Sequence, residues 1–251
     1  MDKLVIDIGG THIRSALMNN NYQIKELIKN KSSALVLDDI KYSVQYFSKK
    51  YSFKDIGISI GGVVDSIKGE ILFVNKKIGS WETSKIVKEL NLHFNNKYNI
   101  KIDNDGNCAA LAEKYYGNAK DCDNFVNLVL GTGVGIGCYI NGKMIQYSEI
   151  GKFIEDKCSG KYFDSERDKN TENMNLIYLN GAKHLGLKIS ELIMILNPEK
   201  IIINGPLVNV HIDFKKTVIE NISIPEYLQT QIIFSEITNQ GLIGAFSLFC
   251  S

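Results

Sequence analysis

The sequence predicts an α/β chain built as two related lobes, and three observations carry that reading. Two glycine-threonine loops of one design occur, Asp7-Ile8-Gly9-Gly10-Thr11 and Gly131-Thr132-Gly133-Val134-Gly135. Each is entered by an apolar run (Leu4 to Ile6; Phe125 to Leu130). Each is left by a second β-prone run that ends at a turn: Ile13 to Met18 before three asparagines, Ile136 to Ile140 before Asn141-Gly142. An Asn-Gly pair between extended runs is the strongest short-range hairpin signal. Finally, 251 residues exceed a typical single core, which favours two lobes.

Taken in order, residues 3–8, 12–19 and 22–28 read as three successive strands, a meander. Leu37, Ile40, Val44 and Phe47 recur at spacings of three and four, one face of a helix. A strand near 55–60 leads into Gly61-Gly62, and another spans about 70–74 after the turn Lys68-Gly69. A helix near 83–91 buries Ile86, Val87 and Leu90; the strand 99–103 follows, and Asn104 and Asp105 open a helix through Cys108, Leu111 and Tyr115. The second half has strands at 124–130, 135–140 and 143–147, then helical stretches at 159–168 and 172–196, the latter stopped by Pro198. A buried strand, 200–204, ends in Gly205-Pro206; a helix near 212–221, a strand near 230–235 and a short helix from Gly241 complete the chain. A meander plus helix-flanked strands, written twice, is the plan of the two-lobed actin-like (ribonuclease-H-like) ATPases, with the active-site cleft between the lobes. The expected division is 1–105 for the N-terminal lobe and 106–240 for the C-terminal lobe, with 241–251 returning to the first.

Composition excludes several classes. Hydrophobic content of 44% and charge of 23% are ordinary for a soluble globular protein. A net charge of +1 gives no electrostatic case for a nucleic-acid partner. Met1-Asp2-Lys3 runs straight into a strand, leaving no room for a secretory leader, and no apolar run reaches membrane-spanning length. A cytoplasmic protein is expected. The five cysteines (108, 122, 138, 158 and 250) are scattered, with no Cys-x-x-Cys pair, which argues for reduced thiols. Cys138 and Cys250, in apolar surroundings, read as core fillers.

Backbone amides at a glycine bend can turn onto an anion, and a threonine hydroxyl adds a donor. Two such bends suggest a nucleotide's phosphates; tight β-bends without a ligand are the alternative for either loop alone. A dinucleotide fingerprint needs a third glycine where Ile136 stands and a helix where Gly137 to Asn141 reads as a strand. No Gly-Lys-Ser/Thr follows either loop, so the Walker pattern fails too.

From residue 4 to about 248 the chain resembles the ROK family of sugar kinases and repressors. Asp7-Ile-Gly-Gly-Thr-His-Ile-Arg14 resembles the family's first phosphate loop, and Gly57-Ile-Ser-Ile-Gly-Gly-Val-Val-Asp65 the strand and turn, with Gly62, that edge its sugar pocket. Asn75 and Trp81 sit where the family has an Asn and a Gly-Trp. Asp103-Asn104-Asp105-Gly106-Asn107-Cys-Ala-Ala-Leu-Ala-Glu113 resembles the stretch that carries the catalytic aspartate. Leu130 to Gly137 resembles the second phosphate loop, and Asn197 to Gly205 the adenosine-side strand. Two departures stand out. After Ser148-Glu149-Ile150-Gly151 comes Lys152 in place of a histidine, and Ile154-Glu155 and Ser159-Gly160 follow at once, so the family's Cys-rich zinc loop is deleted. Cys158 alone cannot hold structural zinc, which takes four ligands. His12 stands where lysine is common.

The resemblance implies roles. Asp105 would be the general base for phosphoryl transfer to a sugar hydroxyl, while also suited to cap the helix that starts at Gly106. Gly62, Asn75, Asn104, Glu149 and Glu155 would line the sugar, the two glutamates as acceptors of vicinal hydroxyls. Gly9, Gly10, Thr11, Gly131, Thr132, Gly133 and Gly205 would hold ATP, and Asp7 would help hold magnesium, through water. Arg14 either pairs with phosphate or braces its loop; Lys152 either contacts sugar or is solvated. The expected function is an ATP- and Mg2+-dependent kinase acting on the 6-hydroxyl of a hexose or N-acylhexosamine, of the glucose or N-acetylmannosamine type. No zinc, nucleic acid or membrane is expected, and a second copy of the chain is a candidate partner. The rival is a non-catalytic sugar- and ATP-binding sensor; the family's repressors carry a helix-turn-helix ahead of the first loop, which here begins at Asp7.

Overall fold

The computed structural model describes residues 1–33, 35–73, 85–147, 150–169 and 173–250. In chain order the elements are β1 (Lys3–Ile8), β2 (His12–Met18), β3 (Ile24–Lys31), α1 (Val36–Ser48), β4 (Asp55–Ile60), β5 (Val63–Asp65), β6 (Glu70–Phe73), α2 (Ile86–His93), β7 (Asn99–Asn104) and α3 (Asp105–Tyr116). Then follow β8 (Phe125–Leu130), β9 (Val134–Ile140), β10 (Lys143–Met144), α4 (Ile150–Ile154), α5 (Gly160–Asp168), α6 (Met174–Leu196), β11 (Lys200–Asn204), α7 (Phe214–Glu220), β12 (Gln231–Phe234) and α8 (Gln240–Ser247). Short 3-10 turns lie at Glu155–Lys157 and Pro206–Asn209.

The chain forms two compact units, 1–116 with 238–251, and 117–237. The division falls after α3, eleven residues beyond the expected 105/106 boundary. Packing explains the shift. A Cβ on Gly244 of α8 would stand 1.9 Å from the Cys108 carbonyl oxygen, so α3 and α8 touch backbone to backbone. Gln240 Nε2 also donates to Glu113 Oε1 (2.9 Å).

Each unit is organised around one five-stranded sheet, in the orders β3-β2-β1-β4-β7 and β10-β9-β8-β11-β12. In both, a consecutive antiparallel meander is extended by two parallel strands. Alternation along a strand assigns the faces. Leu4, Ile6, Ile8, Ile56, Ile58, Ile60, Ile100 and Ile102 join Val36, Ile40, Val44 and Phe47 of α1 in one buried cluster. The opposite face of that sheet therefore carries Asp7, Gly57, Ser59 and Asp103. There α8 comes close enough that a Cβ on Gly57 would lie 2.0 Å from the Ala245 carbonyl oxygen. In the second unit Val126, Leu128, Leu130, Ile201 and Ile203 pack with Ala182, Leu185, Ile189 and Ile193 of α6.

Several boundaries differ from the sequence expectation. β3 begins at Ile24 and runs to Lys31 because residues 19–23 are spent on a turn: Tyr22 N–H donates to Asn19 O (3.0 Å) and Asn19 Oδ1 accepts from Asn21 and Gln23. Val63–Asp65, read as part of a turn, is a strand paired with β6. The short helix α4 was not anticipated. Cys138 is buried, but Cys250 is exposed near the chain end and does not fill the core.

Candidate active site

In the first unit, register and period two place four polar residues in a line across one sheet face. Asp7 pairs with Arg14 on β2 and with Ser59 on β4, and Ser59 pairs with Asp103 on β7. Arg14 donates to Asp7 Oδ2 from Nη2 and, at 3.1 Å, from Nε, while Ser59 Oγ donates to Oδ1 (3.2 Å). The Asp7 carboxylate is thus braced from both sides, and Arg14 is a brace for it. Arg14 Nη1 further donates to Asn239 Oδ1 (3.3 Å), just before α8. The first residues of α8 form the wall behind Asp7: a Cβ on Gly241 would stand 2.3 Å from Asp7 Oδ1.

The loop after β1 is held by its carbonyl groups. Ser32 donates from Oγ to Gly9 O (2.7 Å) and from its N–H to Thr11 O (3.0 Å), and Gly9 N–H donates to His12 O (3.0 Å). Gly9, Gly10 and Thr11 are exposed, with nothing within 4 Å of the place a Cβ on Gly10 would take. A braced carboxylate beside an exposed loop fits an outer-sphere magnesium: Arg14 neutralises direct ligation, while remaining lone pairs can accept from metal-bound water.

At the end of β7 the structure divides the work that the sequence left open, since Asp105 is suited both to act as base and to cap the helix. Asn104 is the cap. Its Oδ1 accepts from Gly106 N–H (2.8 Å) and Asn107 N–H (3.3 Å), the second and third residues of α3. Its Nδ2 donates to Gly62 O, tying the Gly61-Gly62 turn to β7. Gly62 needs to be glycine, since its φ of +132° lies where side chains rarely go. What Asn104 retains for a ligand is its second Nδ2 hydrogen.

Asp105 is the first residue of α3 and is exposed. Its Oδ1 accepts from Gly106 N–H (2.9 Å). Desolvation, and then the negative charge of Asp7, lift its pKa from 3.8 to about 6. Because the side chain is exposed, water reaching it moderates that rise. Asp103, which sequence reasoning left without a role, is 3% exposed and also raised to about 6 by burial, against hydrogen bonds from Asn107 Nδ2 (2.9 Å) and Asn104 N–H (2.7 Å). It therefore holds the turn that carries Asn104 and Asp105. Its signal was its place in line with Asp7 and Ser59, which only the strand register reveals.

In the second unit, Gly131 N–H donates to Gly133 O (2.9 Å), closing the bend, and α5 grips the same loop. Gly160 N–H donates to Gly131 O (2.8 Å) and Lys161 N–H to Thr132 O (2.9 Å). Ser159 caps α5, accepting from Tyr162 N–H (3.4 Å). Thr132 is exposed. Glu155 borders this loop, its Oε1 3.3 Å from where a Cβ on Gly133 would stand, and it pairs with Lys161 (Nζ–Oε1 3.0 Å). Gly205, at φ +100°, ends β11 against β8: a Cβ there would meet Leu130 O at 2.4 Å. Lys152 is exposed on α4. Cys158 is core: Sγ donates to Ile154 O (2.9 Å) and burial pushes its thiol up to about 12. Asn75, Trp81 and Glu149 lie outside the described residues.

Residues 3–153 match the ROK family. An uncharacterized protein of Clostridium perfringens is 27% identical over 288 residues, covering 98% of this chain and 96% of that protein. The beta-glucoside kinase of Klebsiella pneumoniae is 29% identical over 195 residues, 72% of this chain and 62% of the kinase, less than two thirds of its length. Among solved structures, a ROK family glucokinase from Streptomyces griseus in complex with glucose and AMPPNP superposes with a TM-score of 0.78 at 17% identity, over 99% of both chains. That likeness extends to the fold of the whole chain.

Proposed function

The chain belongs to the ROK family, and on that premise we propose that it is an ATP-dependent kinase for the 6-hydroxyl of a hexose or N-acylhexosamine, of the glucose or N-acetylmannosamine type, working in the cytoplasm. The observation that carries this reading is Asp105: an exposed carboxylate at the start of α3, sharing the Gly106 amide with the capping Asn104 and keeping its second oxygen for a ligand, with its pKa raised above the ordinary carboxylate value. A base works best with a pKa near the operating pH. Relatives with a stated activity include a beta-glucoside kinase and a glucokinase, which supports a sugar as acceptor.

Asp105 accepts the proton of the 6-hydroxyl as its oxygen attacks the γ-phosphorus, the bond to the ADP oxygen breaks, and the proton leaves Asp105 to solvent. Gly62, Asn75, Asn104, Glu149 and Glu155 orient the sugar. The N–H groups of Gly10 and Thr11, and of Thr132 and Gly133, hold the phosphates, Gly9 and Gly131 close the two bends through their own amides, and Gly205 lets the adenosine side approach the end of β11. Asp7 would hold magnesium through water, and the ion would supply charge that offsets the charge developing on the phosphates.

The test is a coupled ADP-release screen with ATP over glucose, mannose, fructose, N-acetylglucosamine and N-acetylmannosamine, on wild type and Asp105→Asn. Sugar-dependent release lost in the variant is expected. ATP and sugar binding without turnover on any acceptor would sink the kinase reading and leave a sensor.

A further inference from the structure

Beside the second glycine-threonine loop stands a cation that the roles above leave unused. Lys161 is anchored to that loop through its own backbone, donating to Thr132 O at 2.9 Å, while Gly160 donates to Gly131 O at 2.8 Å. These bonds matter electrostatically. Two carbonyl oxygens, which would repel phosphate, are turned onto the amides of α5. The Lys161 ammonium lies 3.0 Å from Glu155 Oε1, and that same oxygen sits 3.3 Å from the place a Cβ on Gly133 would occupy. An ion pair therefore borders the loop, with the Lys161 side chain 48% exposed and that of Glu155 26% exposed. In the first unit Arg14 is committed to Asp7 by two nitrogens. That cation is already neutralised.

We infer that Lys161 is a phosphate-contacting residue of the second loop, with Glu155 its counter-ion while nucleotide is absent. This rests on the kinase reading and adds a residue to it. A lysine is a compact point charge on a flexible stem, suited to reach a triphosphate without fixed geometry. An exposed ion pair is weakly held, so the ammonium can leave one carboxylate for a more highly charged anion. Glu155 is then released to accept sugar hydroxyls. A neutral adenosine has no charge to draw Lys161 away and gains nothing from it.

Direct titration of the full chain with AMPPNP and with adenosine separates the possibilities. Lys161→Met should weaken AMPPNP binding about ten-fold or more, the scale of a lost hydrogen bond to a charged group, with adenosine binding within two-fold. Lys161→Arg should keep most of the affinity, and Glu155→Gln should keep or tighten it. Unchanged AMPPNP affinity in Lys161→Met, or an equal loss for adenosine, would overturn the inference. So would a rise in sugar KM alone, which would make Lys161 a positioner of Glu155. If wild type bound AMPPNP and only the Lys161 effect were missing, this inference alone would fall; if wild type bound none, the kinase reading would fall with it.

Discussion

On the sheet of the first unit, Arg14, Asp7, Ser59 and Asp103 form one row across four strands. In the second unit, Val129 precedes its glycine loop by the two residues that Asp7 does, and its row reads Gly135, Val129 and Asn204. The strand order is the same; the charge is not. Each loop is also held differently. Ser32, just beyond the end of a meander strand, holds the first, and the opening amides of α5 hold the second. A repeated scaffold thus positions two glycine bends, while the carboxylates whose burial is costly are concentrated in one copy. Two carboxylates raised to about 6 on or beside one strand end, Asp103 and Asp105, mark the first unit as the place where a proton can be moved near neutral pH.

The comparison breaks most sharply at Asp105. Asp105→Asn keeps the shape and the hydrogen bond to Gly106 but cannot take a proton, so kcat should fall roughly a hundred- to ten-thousand-fold. Sugar and nucleotide binding should stay within a few-fold. Steady-state kinetics with binding titrations check this, and a variant that kept most of its kcat would move the proton transfer elsewhere.

Glycine substitutions set the two units against each other. A Cβ on Gly241 meets Asp7 Oδ1 at 2.3 Å, and one on Gly151 meets Val134 O at 2.0 Å. Either alanine should cost about 1–3 kcal/mol of stability through overpacking, seen as earlier thermal unfolding. Only Gly241→Ala displaces Asp7, so it alone should also weaken turnover at temperatures where both variants are folded. Gly10→Ala, with open space around it, should melt like wild type.

The pH dependence separates the two carboxylates of the first unit. Asp105 must be deprotonated to act, so kcat/KM should fall about ten-fold per pH unit once the pH drops below its raised pKa. Asp103 acts on stability. Its folded pKa of about 6 exceeds the ordinary 3.8, so between these values the folded chain holds a proton the unfolded chain has released. Its contribution is fully present below that window, and stability falls as pH rises through it. Asp103→Asn should flatten that fall in denaturant titrations across the window while leaving the acid limb of kcat/KM in place.

The smallest effects belong to the segment 149–155. Glu149→Gln should raise the sugar KM by about ten-fold, the scale of a lost charged hydrogen bond. Lys152→Ala should do less, since the interactions of an exposed lysine contribute little net energy. If the lysine change were the more damaging one, an acidic sugar would become the better substrate candidate.

Local pattern carried much of this protein. Alternation and glycine punctuation located both meanders, and spacings of three and four located α1. The ordered motifs pointed to Asp105 and both loops, because a glycine bend and a strand-to-helix junction are short and continuous in sequence. Sequence left the cap at α3 open, since Asn104 and Asp105 are both good capping types, and only the structure shows that Asn104 accepts from the second and third amides of the helix. Tertiary structure alone supplied the Arg14–Asp7 brace, the Ser59–Asp103 row, the Gly241 wall and the Lys161–Glu155 pair. Each depends on strand register or on two backbones meeting at van der Waals distance. Asp7 and Gly241 are separated by most of the chain, and no propensity of either residue encodes that they touch. Composition and periodicity report which face a residue buries; which residue it then faces is decided when the sheet closes its register and α8 docks on it.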